Sequence, residues 1–179
     1  RIRDLERRTA KFLERNSALC DFLQALENGE LDNAKQLGIE ATSRSERLRL
    51  VMLNYLARYQ FRVGDFEAAL QNFVEIRKVH DVHWARLGEA QSLTELGYLA
   101  QAEDMFTEVL NEHRYATPAI DGLARVCEIR KDQRGRYRRI KEGSELSPLN
   151  VSRLEQVSAI SEKLGIWDEA VDSCRRIYK

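Results

Sequence analysis

Leu53–Ile76 reads LNYLARYQFRVGDFEAALQNFVEI, two apolar stripes hinged on Gly64. Upstream run Leu48, Leu50, Val51, Leu53, Leu56 and Ala57; downstream run Phe66, Ala69, Leu70, Phe73 and Ile76. Spacing by threes and fours gives each segment one buried helical face. Gly64 suits the left-handed residue that closes the first helix. Asp65 suits the amide-rich start of the second, as Asp168 does later in the chain. The stretch is therefore a helical hairpin, and the same pattern recurs along the chain.

Glycine returns at Gly29, Gly64, Gly97 and Gly165, with Lys131 where the series calls for one more. The steps of 35, 33, 34 and 34 residues carry other positions in phase. Five residues after each mark stand Ala34, Ala69, Ala102, Arg136 and Ala170; two after stand Leu31, Phe66, Leu99, Gln133 and Trp167. A fixed period near 34 marks an array of hairpins, each covering an apolar face that its neighbour leaves open. The small residue five after the mark lies where two helices approach most closely. The expectation is an all-α, right-handed superhelical solenoid of antiparallel helix hairpins, about five repeats long. Helix breaks are expected near Gly29, Gly64, Gly97, Lys131 and Gly165.

LNYLARYQFRVGDFEAALQNFVEI, HWARLGEAQSLTELGYLAQAEDMFTEVL (83–110) and LSPLNVSRLEQVSAISEKLGIWDEAV (146–171) resemble tetratricopeptide repeats. The small residue seven before the mark (Ala57, Ala90, Ala124) and the bulky one nine after it (Phe73, Phe106, Ile140) fall in place. Pro148 lies where that family often ends a second helix. A narrower resemblance, carried by WARLGEAQSLTELG (84–97) and LSPLNVSRLEQVSAISEKLG (146–165), is to the repeat region following the receiver domain of certain bacterial response regulators. It implies the output half of a two-component protein whose receiver precedes Arg1. The alternative is a free-standing scaffold or assembly protein.

The domain reading is a helical extension over residues 1–16, continuous with a repeat domain over 17–179. Repeats are set at about 17–46, 47–82, 83–116, 117–150 and 151–179. Arg1 to Glu27 lacks glycine and proline and would span roughly 40 Å as one helix. Ile2, Leu5, Thr9, Phe12, Asn16, Leu19, Leu23 and Leu26 form a heptad seam with polar Asn16 able to set register. The first hairpin diverges, with Gly38 at the usual bulky site. The fourth diverges most, with Lys131 for glycine, Arg136 for alanine and Gly143 at a later packing position. A buried unpaired arginine is costly, so Arg136 must tilt to solvent or the hairpin must splay. Gly135 relieves the crowding at a helix cost of about 1 kcal/mol. The fifth hairpin should end in an uncovered apolar stripe including Leu164, Ile166, Val171 and Ile177, and weak homodimers could form there or through the N-terminal helix.

Twenty-nine Lys and Arg balance twenty-nine Asp and Glu, which argues against a nucleic-acid or membrane binder. No run approaches the ~18 apolar residues of a membrane span, and the expected compartment is the cytoplasm. Cys20, Cys127 and Cys174 read as small buried thiols there. His80, His83 and His113 lie at turns and supply no convergent metal set. With no phosphate loop or nucleophile motif, no enzyme and no cofactor are expected.

The resemblance implies a concave groove lined by positions 13, 10, 6, 3 and 2 before each mark. These are Val51, Asn54, Arg58, Phe61 and Arg62; then Trp84, Leu87, Gln91, Thr94 and Glu95; then Pro118, Asp121, Arg125, Glu128 and Ile129. Trp84 with Arg58, Arg62 and Arg125 has the composition of a hot spot for an acidic protein or peptide segment. The family's carboxylate clamp is not matched: Asn54 fits in type, but Leu87 and Asp121 stand where lysines belong. Arg130, Lys131, Arg134, Arg138, Arg139 and Lys141 form a second candidate, an anionic docking patch. With Tyr137 alone for stacking, RNA ranks last among its ligands.

Overall fold

The computed structural model describes residues 17–42 and 45–178. The heptad stretch over 1–16 lies outside them. Among the described residues all regular structure is helical. The helices are α1 (17–27), α2 (Leu31–Thr42), α3 (Glu46–Val63), α4 (Phe66–Val79), α5 (His83–Glu95), α6 (Leu99–Glu112), α7 (Thr117–Ile129), α8 (Gln133–Leu146), α9 (Val151–Leu164) and α10 (Trp167–Ile177). Successive pairs form an all-α solenoid of helical hairpins, as the period requires. The chain divides after Gly88, within α5, into two compact units.

All five expected breaks are present, and each is built the same way. Gly29, Gly64, Gly97 and Gly165 have φ of 77°, 87°, 86° and 73°, and Lys131 adopts 60°. Each mark donates its N–H to the carbonyl three residues back: Leu26, Phe61, Thr94, Glu128 and Glu162. The next residue donates to the carbonyl five back from itself: Ala25, Gln60, Leu93, Cys127 and Ser161. This closes the orphan carbonyls of the helix end in a Schellman turn. Lys131 holds the same turn although a side chain there costs about 1–2 kcal/mol. Asp65 and Asp132 then cap the following helices, accepting from the N–H of Ala68 and Gly135.

Among the described residues the first unit has two core clusters. Phe22, Ala25, Leu26, Ala34, Met52 and Leu56 bury against one another where α1, α2 and α3 meet. Leu50, Ala57, Ala69, Phe73, Ile76 and Ala85 form the second. Phe73, nine after its mark, fills the hollow left by Gly88, where an added Cβ would strike its ring. In the second unit Phe106 does the same against Gly122. Gly38 holds the corresponding place in the first hairpin and faces open space. Beside it lies a crease of about 530 Å³, lined by Phe22, Met52, Leu53 and Leu56 and edged by the Arg49–Glu75 ion pair.

The fourth hairpin solves its arginine problem by shifting burial one residue. Gly135 is buried where α8 approaches α7, next to the Cys127 side chain, and Arg136 turns out to Glu128 at 2.9 Å. Of the apolar residues on α8, Ile140 is the buried one, packed with Ala124, Val157 and Ile160.

Candidate functional site

In the first unit the groove positions fall on α3 and the start of α5. Residues 54, 58, 61 and 62 recur at helical spacing on α3, so one face presents them. Phe61 and Trp84 are both half-buried against the second core cluster, and Phe61 meets Phe66 edge-on at 5.3 Å. Trp84 therefore has a packing role as well as a partly open face. Leu87 is buried and gives the groove no free side chain. Arg58 is exposed with no carboxylate partner among the described residues, and Arg62 lies 5.9 Å from the Tyr59 ring. Asn54 is half-buried, and its Oδ1 is shielded from solvent with no donor among the described residues.

The second unit treats its groove positions differently. Thr94 is buried and donates back to the Ala90 carbonyl at 2.8 Å. Arg125 is gripped by Glu95 through two bonds of 2.9 and 3.1 Å and by Glu128 at 2.9 Å. These carboxylates raise the pKa of its guanidinium further, holding the charge in place. Arg153 makes a similar fork to Asp121, at 3.2 and 2.6 Å. A hollow of about 380 Å³ between these side chains is thus walled by neutralised pairs. Arg125 differs from Arg58 in this respect: an acidic segment would have to displace two carboxylates to reach it.

The basic stretch is also partly neutralised. Arg130 pairs with Glu103, Arg139 with Glu142 at 3.1 Å, and Lys141 with Glu169 at 2.7 Å. The Glu169 bond, with the Tyr137 hydroxyl, raises the Lys141 pKa. Lys131, Arg134 and Arg138 remain exposed without such a partner among the described residues. The pairings between hairpins join residues 27 to 32 apart, near one repeat length. Opposite charges at that separation were the sequence signal that could have revealed them.

The cysteine reading needs correction. Cys20 and Cys174 are exposed, and only Cys127 is half-buried. Burial pushes the Cys127 thiol pKa up. Cys174 stands nine after its mark, where Phe73 and Phe106 are buried, and Cys20 nine before its mark, where Tyr55 of the second hairpin is exposed as well. Of the expected C-terminal stripe, Ile166 and Val171 are exposed, with Trp167 and Tyr178 beside them, whereas Ile177 is half-buried and Leu164 packs against the Ala124, Ile140, Val157 and Ile160 cluster. Among the described residues no His, Cys, Asp and Glu gather into a metal-binding group. No helix of theirs is long and apolar enough to cross a membrane.

No family model and no curated protein matches the chain. Solved structures do. MamA residues 41 to the end, from Desulfovibrio magneticus RS-1, align over 93% of this chain and 92% of that one, with TM-score 0.69 at 15% identity. The thermophilic TPR protein TTC0263 of Thermus thermophilus covers 90% of this chain and 89% of its own, with TM-score 0.66 at 17% identity. BtubC from P. vanneervenii gives 0.70 at 14%, over 86% and 74%. At such identities the likeness is one of fold: the chain has a tetratricopeptide-type architecture.

Proposed function

We propose that the chain is a protein–protein interaction module that receives an acidic protein segment on the α3 face of its first unit. One observation carries this reading. Phe61 and Trp84 are anchored on a common core cluster while Arg58, on the helix of Phe61, keeps an exposed charge that no carboxylate of the described residues engages. Rigid aromatics supply contact area at low entropic cost, and a free guanidinium steers an acidic partner. Arg125 drops out as a steering charge, since Glu95 and Glu128 hold it.

The finer reading is that this module is the output half of a bacterial two-component response regulator in the cytoplasm, passing phosphorylation state to its partner. It rests on the resemblance of residues 84–97 and 146–165. The alternative remains a scaffold with no phosphorylation input. Reading the coding sequence upstream of Arg1 separates them, because a receiver domain carries its phosphoacceptor aspartate on a βα fold.

The test of the groove is a titration of the partner recovered from the native source. Arg58→Glu, at an exposed site, is expected to slow association and reduce its salt dependence without altering the fold. Trp84→Ala is expected to weaken the complex by about 2 kcal/mol. Its own loss of core packing is measured in parallel by denaturation. If both variants bind as the parent does, the α3 face is not the site.

A further inference from the structure

We propose that the crease beside Gly38 is a binding site for a small carboxylate with an apolar body. It lies wholly within the first unit and does not depend on the groove reading. Arg49, Met52, Leu53, Leu56 and Gln60 line it from one side of α3, opposite the side that carries Asn54, Arg58 and Phe61. Its volume of about 530 Å³ falls within the roughly 300–1,000 Å³ usual for small-molecule sites. Gly38 leaves this space: it stands where the next two hairpins have Phe73 and Phe106, and a Cβ added to it would meet nothing within 4 Å. The floor is apolar, made by the buried side chains of Phe22, Met52 and Leu56.

Two polar groups give the ligand a direction. Gln60 is only 2% exposed, yet it lines the crease. Its Oε1 accepts from Asn72 Nδ2 at 2.6 Å, while its own Nε2 has no acceptor among the described residues. A buried amide N–H without an acceptor is costly, so a ligand oxygen is favoured there. Lys35 is the second group, exposed and without a carboxylate partner among the described residues. Because α2 and α4 run antiparallel to α3, Lys35 lies toward the Gln60 end of the crease, and Gly38 toward the Arg49–Glu75 end. Glu75 answers the charge of Arg49, so Lys35 leaves the lining with an uncompensated positive charge. A carboxylate head at Lys35 and Gln60 would satisfy both groups, with its apolar body lying along Met52, Leu53 and Leu56 into the space at Gly38.

The full chain is titrated with anilinonaphthalene sulfonate, an aromatic anion that fluoresces in apolar surroundings. The bound probe is then challenged with naphthoate and with octanoate. Saturable binding, displaced by at least one of the two carboxylates, is expected, and the one that displaces it separates an aromatic ligand from an aliphatic one. Gly38→Leu should fill the space and remove this site, with helical content kept and the thermal midpoint preserved or raised. Lys35→Glu, at an exposed position, should weaken the displacing carboxylate by about fivefold or more and leave the corresponding neutral alcohol unaffected. No displacement by either carboxylate up to about 1 mM would overturn the proposal. So would equal probe binding by Gly38→Leu and the parent, or a carboxylate affinity unchanged in Lys35→Glu.

Discussion

Gly38 in α2 and Gly88 in α5 both sit inside helices at seams between hairpins, one facing open space and the other pressed against the Phe73 ring. Gly88 is a hole, and the helix gives up about 1 kcal/mol of propensity so that a buried aromatic can enter. Gly38 is a missing knob: the same propensity is lost, and a crease of about 530 Å³ lies beside it. The stacking rule is thus a relation between two positions, nine after one mark and nine before the next. The same residue type strengthens or weakens the array according to which of the two it occupies.

The largest effect belongs to the filled seam. Phe106 is fully buried against Gly122, and Phe106→Ala is expected to cost about 3–5 kcal/mol in denaturant unfolding. Gly122→Ala alone should cost about 1–3 kcal/mol, because the ring has nowhere to move. The double variant should cost clearly less than the two together, since truncating the ring opens the space the new methyl needs. Strict additivity of the two costs would break the knob-and-hole account.

The open seam should respond in the opposite direction. Gly38→Leu meets no atom at the Cβ and removes a helical glycine, so a gain of about 1 kcal/mol is expected. The check is the thermal midpoint of the full chain against the parent. A loss would mean that Gly38 serves a close approach not apparent from its surroundings.

Sequence reading succeeded where one position suffices to set local structure. The left-handed φ at Gly29, Gly64, Gly97 and Gly165 follows from the residue, and that at Lys131 from its phase in the period. It succeeded again for the alanines five after the mark, because Ala69 and Ala102 are wholly buried. It went astray where the outcome depends on which neighbour reaches a side chain. Arg125 read as a free cation until Glu95, 30 residues back, was brought beside it by stacking. Cys174 read as buried because its position is that of the buried Phe73 and Phe106, but among the described residues no following helix covers it, and Cys20 shares its exposure with Tyr55 at the equivalent place. The choice of Gly135 over Arg136 for the tight contact is a matter of helix rotation, which a residue count does not encode.

The smallest expected effect isolates the backbone from the packing. The turn at Lys131 closes with the same two cap hydrogen bonds as the four glycine turns, one from Lys131 and one from Asp132, in the same left-handed conformation, and the lysine side chain is exposed. Packing is therefore constant across the substitution Lys131→Gly, and only conformational energy changes. Relief of the left-handed strain of about 1–2 kcal/mol is partly offset by the extra freedom glycine has when unfolded. A net gain of about 0.5–1 kcal/mol is expected, read as a rise in denaturant midpoint at unchanged slope. The converse change, Gly64→Lys, should cost a similar amount at an equally exposed turn. If Lys131→Gly destabilises instead, the lysine side chain contributes something the turn geometry does not show, and the fourth break is held by more than its phase in the repeat.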